Sequence, residues 1–414
     1  MNHDFFIEPS HSRRSSGLAK RHRTGKVWQG IFFSATVIGL IALIALLLTV
    51  LDKSFSYVVI EYKKDPATLA SKPLAELTNS DLANLLEANL SKNRFRTLDR
   101  AQTITERNHA DLLNLVYENV VQPRALDSFS ITQWLMHSDQ IRAEVTQKYP
   151  KGHLEFRAWF SGSFLIDPLS GDPLLTGVRA ALLGSLYLIL ITVLVAFPIG
   201  VGSAIYLEEY ADSKKWYNRI IQTNIDNLAG VPSIVYGILG LAIFVRGLAP
   251  LTSGAVFGSS DSNGRTILSA GLTMALLILP VIIINAQEAI RAVPVSLRQA
   301  SYGLGATRWQ TIWNHVLPAA LPGILTGTIL AISRAMGETA PLIIVGAAAF
   351  ITSDPTGPFS KFTALPIQIY NWTTRPQEVY RNVAAAAILV LMISLLSLNA
   401  AAILLRNRFS RRLA

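Results

Sequence analysis

The sequence predicts an all-α integral membrane protein with six membrane-spanning helices and a mainly helical soluble domain inserted between the first two. Three observations point there. Half of the 414 residues are hydrophobic and only 15% are charged, against roughly a quarter charged in a typical soluble domain. The apolar residues gather into long runs, each near or above the roughly 20 residues that cross a bilayer as a helix. Arg and Lys concentrate between alternate runs, as they do on the cytoplasmic side of membrane proteins.

Residues 1–26 hold Arg13, Arg14, Lys20, Arg21, Arg23 and Lys26 against Asp4 and Glu8; they read as a disordered basic tail. Residues 27–51 are uncharged and form the first span. A cleavable signal peptide is the alternative, but the run exceeds an ordinary apolar signal segment and no small-x-small site comes after it. Residues 52–179 form the soluble insertion. Leu74, Leu77, Leu82, Leu85, Leu86 and Leu90 recur near helical spacing, with Asn79 or Ser80 as cap. Asn108 with Asp111 resembles a second cap. His109, His137 and His153 lack ligand spacing.

The remaining spans read as 180–207, 228–245, 266–287, 317 to about 350, and 383–405, within a membrane domain of 180–405. With both termini inside, the inner segments are 1–26, 208–227, 288–316 and 406–414, and the last carries Arg406, Arg408, Arg411 and Arg412 with no acid. The net charge of +10 is explained by this placement and gives no reason to expect nucleic acid. The absence of cysteine excludes thiolate metal sites and disulfides. No metal or other cofactor is expected.

One loop stands apart. Residues 288–316 are too polar for lipid. Pro294 breaks a helix, 296–302 can start another, and Gly303 and Gly305 allow a sharp turn. Thr307 caps the helix after the turn, and Pro318 marks the return to the membrane. Two short helices joined by a glycine turn can seat in a groove of another protein and pass on its motion; a solvated loop with no partner is the plainer alternative. The next run carries Arg334 and Glu338, and an ionised residue at mid-membrane costs about 2.5–3.5 kcal/mol or more. Four residues apart, the two share a helix face and can pair. Beside them Ala319, Gly323, Gly327, Ala331 and Ala335 form a ridge of small residues on which another helix can pack closely, with Gly323 to Gly327 a GxxxG.

Ala300, then Gly305, then Leu317-Pro318 resembles the coupling loop of ABC importer permeases, written E-A-A, three residues, Gly, nine residues, I-x-L-P. Gln299, Ser301 and His315 depart from that pattern. EAIRAVP (288–294), LPAALPGILTGTILAISRAMGETAPL (317–342) and GVPSIVYGILGL (230–241) are similar to phosphate-specific permeases, the GETAPL ending to the PstA type. The resemblance covers about 160–412. It implies a type I importer fold and a second permease subunit. It also implies two ATP-binding subunits seated on Gln299, Ala300, Ser301, Gly305, Ala306 and Thr307, with Leu317 and Pro318 behind them. A periplasmic phosphate-binding protein and inorganic phosphate as cargo complete the assembly, set in the bacterial inner membrane and its lipid.

Two roles for the charged helix are open. Arg334 can meet the passing oxyanion, since a guanidinium fork suits phosphate, with Glu338 holding it between passages; or the two form a structural ion pair. Arg291 is open in the same way, between an anion contact and a cytoplasmic charge. Arg246 and Arg179 near the outer ends of spans read as interfacial anchors or as attractors of anion. There is no GxxxxGK[ST] phosphate loop and no GxSxG or HExxH motif, so ATP hydrolysis is expected in a separate subunit and the chain itself is not expected to be an enzyme. A partner permease subunit, a permease for a related oxyanion such as sulfate, and a membrane receptor reading the outside through 52–179 are the alternatives.

Overall fold

The computed structural model describes residues 12–410 except Ser71, Gln102, Ser213, 259–262 and Thr352. The ends of the two basic tails, with Arg411 and Arg412, lie outside the described residues. Helix α1 runs Ser12–Ser54. Residues 12–26, expected to be disordered, are therefore helical. They contain no proline, so nothing in the backbone stops the helix of the span from extending into them. From Val27 to Leu51 its large apolar side chains are exposed on all sides, as on a helix surrounded by lipid. The described residues up to 52 form one compact unit and those from 53 onward another.

In the second unit, residues 55–178 are not helical throughout. Strands β1 (Phe55–Tyr62), β2 (Pro123–Ser130) and β3 (His153–Ala158) make an antiparallel sheet in the order β2-β1-β3. Helices α2 (Asn79–Asn89), α3 (Lys92–Ala101) and α4 (His109–Val116) lie between β1 and β2, and α5 (Ile131–Lys148) comes after β2. Thr78, not Asn79 or Ser80, caps α2 in a reciprocal box with Asp81. Asn108 caps α4 through Asp111 N. Strand β1 carries three consecutive buried residues, Val58, Val59 and Ile60, because both of its faces are covered. Val59 packs with Ile141 and Val145 of α5. Val58 and Ile60 share a core with Trp159, Trp372 and Val379, so the sheet rests on the membrane helices.

Those helices are α6 (Arg179–Tyr210), α7 (Trp216–Ala229), α8 (Ser233–Gly247), α9 (Ile267–Arg291), α10 (Val295–Gly303), α11 (Arg308–Gly337), α12 (Ala340–Val345), α13 (Leu365–Thr373) and α14 (Glu378–Ser410). Helix α9 is the centre: its most apolar stretch is 67% buried, against 11% for α14. Among the described residues five helices are long and apolar enough to cross a membrane, and α7 with α8 can supply a sixth, bent by 108°. Most of the expected 208–227 loop is thus helix. Pro232, which lacks an N–H, opens α8 after the bend, and Tyr236 Oη donates to Leu228 O across it at 2.7 Å.

The expected fifth span, 317 to about 350, is shorter at its far end. Helix α11 stops at Gly337, Glu338 is extended (φ −76°, ψ 127°), and α12 restarts with Pro341 in its first turn. Proline has no N–H to continue the ladder and is accommodated only in a helix's first turn, so Pro341 marks the start of a new helix after GET.

Candidate functional site

The knob is built by local signals. Pro294 precedes α10, and Gly305 takes a left-handed φ of 84° at which a side chain would be strained. Thr307 and Gln310 close a reciprocal capping box on α11. Ser301 Oγ and Thr311 Oγ1 meet at 2.8 Å in a buried hydrogen bond between the two limbs. An alanine at 301, the residue usual in the resembling loops, would lose that tie. Gln299, Ala300, Gly305 and Thr307 are exposed, Ala306, Leu317 and Pro318 half-buried. At the tip Leu304 is 90% exposed, and Trp309 and Trp313 stack with centroids 5.4 Å apart while remaining open. Three large apolar side chains thus stand open together at the end of a polar loop.

A clamp of charges joins the knob to the bundle. Helix α6 ends in a π turn at Tyr206–Tyr210. There Glu209 accepts from Arg298 Nε at 3.1 Å and Nη2 at 2.8 Å, while Arg298 also donates to Val293 O at 2.7 Å and Ile290 O at 2.9 Å. This pair is nearly enclosed, the side chains being 16% and 8% exposed. Glu208 accepts from Arg291 Nε at 2.8 Å and Nη2 at 2.7 Å, and from Gln287 at 2.9 Å. Arg291 Nη1 also reaches Glu288 at 3.1 Å. The guanidinium of Arg291 is thus engaged by two carboxylates. The role of Glu208 and Glu209 was not legible locally; the signal was an adjacent acid pair at the end of an apolar run.

Behind the knob, α11 lies along α9. A Cβ added at Gly323 would sit 2.8 Å from Ala289 Cβ, and one at Gly327 would collide with Asn285. Ala331 and Ala335 are buried in the same seam. The small residues let the two backbones approach.

At the far end of α11 stand Arg334 and Glu338. Arg334 is in the last turn, where the helix dipole favours a cation, and Glu338 is beyond the helix end, so the pair spans a break rather than one helix face. Nε to Oε1 is 3.5 Å, and the Arg334 side chain is 55% exposed. Among the described residues it has no other hydrogen-bond partner. Pro341 then packs on α8, where a Cβ at Gly237 would lie 2.8 Å from Pro341 Cα. Two irregular segments, the bend before α8 and the break before α12, are thereby brought together by close packing. Irregular backbone at membrane depth is tolerated where it is buried in protein or lines a wet path. Among the described residues no group of His, Asp and Glu is arranged to hold a metal.

Comparisons bear on this arrangement. The family model described as binding-protein-dependent transport system inner membrane component matches residues 196–414, which include the knob, the clamp and the charged break. The phosphate transport system permease protein PstA 1 of Mycobacterium tuberculosis is 35% identical over 237 residues, 57% of this chain and 72% of the relative. The probable ABC transporter permease protein YqgI of Bacillus subtilis is 34% identical over 241 residues, 55% of this chain and 76% of that one. The phosphate transport system permease protein PstC of Pasteurella multocida is 34% identical over 213 residues, 47% of this chain and 63% of that one. With more than half of its length matched and the surface knob, buried clamp and helix break all falling inside the match, the chain belongs to the binding-protein-dependent transport system inner membrane component family.

Proposed function

We propose that the chain is the PstA-type permease subunit of an ATP-driven phosphate importer and forms half of its path across the inner membrane, with both termini in the cytoplasm. The observation that carries this is the break at 338: a guanidinium more than half exposed, held by one long contact to Glu338, beside a packed pair of irregular segments. A guanidinium free on most of its edge can take the oxygens of a tetrahedral anion, and Glu338 competes for it once the anion leaves. The phosphate named in the relatives supports that cargo.

The knob then seats on two ATP-binding subunits through Leu304, Trp309 and Trp313. Closure of those subunits pushes on α10, and the Glu209–Arg298 and Glu208–Arg291 pairs carry the push into α6 and α9, so that the helices rock about the break. Arg291 acts here as a positioning residue. A second permease subunit completes the path, and a periplasmic phosphate-binding protein delivers the anion to it.

The test is reconstitution with candidate ATPase and permease partners and uptake of labelled phosphate against excess sulfate. Wild type should accumulate phosphate. Arg334→Lys should assemble but transport at least tenfold more slowly, because an ammonium lacks the fork. A lysine variant as active as wild type would defeat the anion role of Arg334, and sulfate uptake in place of phosphate would move the chain to another oxyanion.

A further inference from the structure

Away from the charged break, a cavity of about 510 Å³ opens where the last turn of α8, the segment before α9 and the end of α12 converge. Its lining includes Arg246, Arg265 and Lys361 and, among the described residues, no carboxylate. Among the described residues none of the three cations has an ion pair or a side-chain hydrogen bond. The acid on the same loop as Lys361, Asp354, is taken by Arg179 Nε at 2.8 Å. Three cations around one hollow, unpaired among the described residues, repel one another and raise its potential, which favours an anion.

The hollow also has a shaped floor. Gly346 closes α12 at φ +107°, and a Cβ there would lie 2.6 Å from Arg265 Cδ. The glycine lets the arginine stem lie against the backbone. The position is equally telling. Helix α12 is six residues long, about 9 Å at 1.5 Å per residue. It leads from Gly346 back to Glu338, and its partner α8 carries Arg246 at the matching end. The hollow therefore lies one short helix from the Arg334–Glu338 pair, on the side away from the knob. Arginines and lysines are scarce on the outer side of membrane proteins, so three around one outer hollow need a reason there.

We propose that Arg246, Arg265 and Lys361 form a receiving site for a tetrahedral oxyanion, which takes inorganic phosphate at the outer mouth before it reaches Arg334. This deepens the importer reading and rests on its orientation. The two guanidinium groups offer forks for the anion oxygens and the ammonium adds a point charge.

The experiment uses the full reconstituted complex in nanodiscs of phosphatidylcholine alone, without binding protein or ATP, and measures equilibrium binding of labelled inorganic phosphate. Every variant is made in the Arg334→Ala background, so that only the outer hollow is read. The parent should bind phosphate, and R246Q/R265Q/K361Q should weaken that binding at least tenfold. The charge-keeping R246K/R265K should fall between them and guards against a folding defect, as does an unchanged elution volume. Gly346→Ala, which displaces Arg265 without touching its charge, should weaken binding severalfold. In uptake assays the triple variant with Arg334 intact should raise the half-saturating phosphate concentration and keep the maximal rate, and 0.5 M salt should narrow the difference (an ionic strength at which exposed charges are screened within about 4–5 Å).

A well-assembled triple variant that binds phosphate like its parent would overturn the proposal. So would phosphate binding abolished by nanodiscs containing phosphatidylglycerol, which would make the hollow a lipid headgroup site. A triple variant impaired only in capturing the binding protein would overturn it in favour of a docking surface. Binding in the hollow without any phosphate uptake by wild type would uphold the receiving site and sink the importer reading, so the two can fail separately.

Discussion

The charge clamp offers a measurable contrast between two ion pairs a few residues apart. The Arg298 side chain is 16% exposed, and removing Glu209 leaves its guanidinium only the carbonyls of Val293 and Ile290 as acceptors. Breaking a fully buried pair costs about 3–5 kcal/mol; two retained backbone acceptors put this case near the lower end, at about 2–3 kcal/mol. Arg291 is 54% exposed, and a pair with one member in water contributes about 0–1 kcal/mol. The assay is a pair of double-mutant cycles on purified protein in mixed micelles, unfolded reversibly with SDS. One cycle uses E209A and R298A, the other E208A and R291A. The cycle removes the separate contribution of Gln287 to Glu208, which only the pairwise quantity should exclude. The first coupling energy should exceed the second by about 1–2 kcal/mol, from five- to thirtyfold in an equilibrium constant. Equal couplings, or a larger one for the exposed pair, would refute the view that enclosure decides which carboxylate anchors the knob.

The same geometry makes other perturbations informative. Gly327→Leu should lose folded yield in the membrane fraction, since even one carbon there collides with Asn285 and overpacking costs about 1–3 kcal/mol; Gly337→Ala, with open space around it, should be recovered normally. Asn382→Leu should lower the melting temperature by several degrees. Its amide donates to Ser56 Oγ at 3.1 Å and to Ser128 Oγ, and Ser56 also accepts from Trp159 Nε1 at 2.7 Å. The change removes two buried hydrogen bonds, each contributing about 0.5–1.5 kcal/mol, while Ser128 Oγ keeps its bond to Ser56 Oγ at 3.3 Å. Burial pushes the Asp172 carboxyl up, with burial outweighing the Leu174 N–H and Arg157. A carboxyl whose folded pKa is raised stabilises the fold below the unfolded value, about 3.9, and that contribution is lost as pH climbs through the folded value. Asp172→Asn should therefore gain thermal stability on wild type between pH 4 and 7, and a constant difference would refute the assignment.

Much of this molecule can be read in advance because its signals are local. The apolar runs locate α6, α9 and α14 within a few residues, and proline, glycine and threonine set the ends of α10 and the start of α11. The misses are places where distant residues decide. Strand β1 carries only the short apolar run Val58-Val59-Ile60 directly after α1, and only its partners at 123–130 and 153–158 reveal that both of its faces are covered. Glu208 and Glu209 find arginines 83 and 89 residues away, beyond any local pattern. The break after Gly337 was written in GETAP, but the surrounding apolar run hid it behind the length expected of a span. The acidic and basic side chains of Arg334 and Glu338 were visible as a pair; that one of them stands outside the helix was not.

The seating of β1 on the ends of the membrane helices opposite the knob has a consequence for anyone who would trim the chain to its family-matched half. Excising residues 55–178 would strip the cover from Trp372, Val379 and Val383, side chains now almost sealed from solvent, and leave the Asn382 amide with no hydroxyl to bind. The shortened protein would carry a raw oily scar on that rim. Restoring solubility there would take new polar side chains, or a lid borrowed from a shorter cousin.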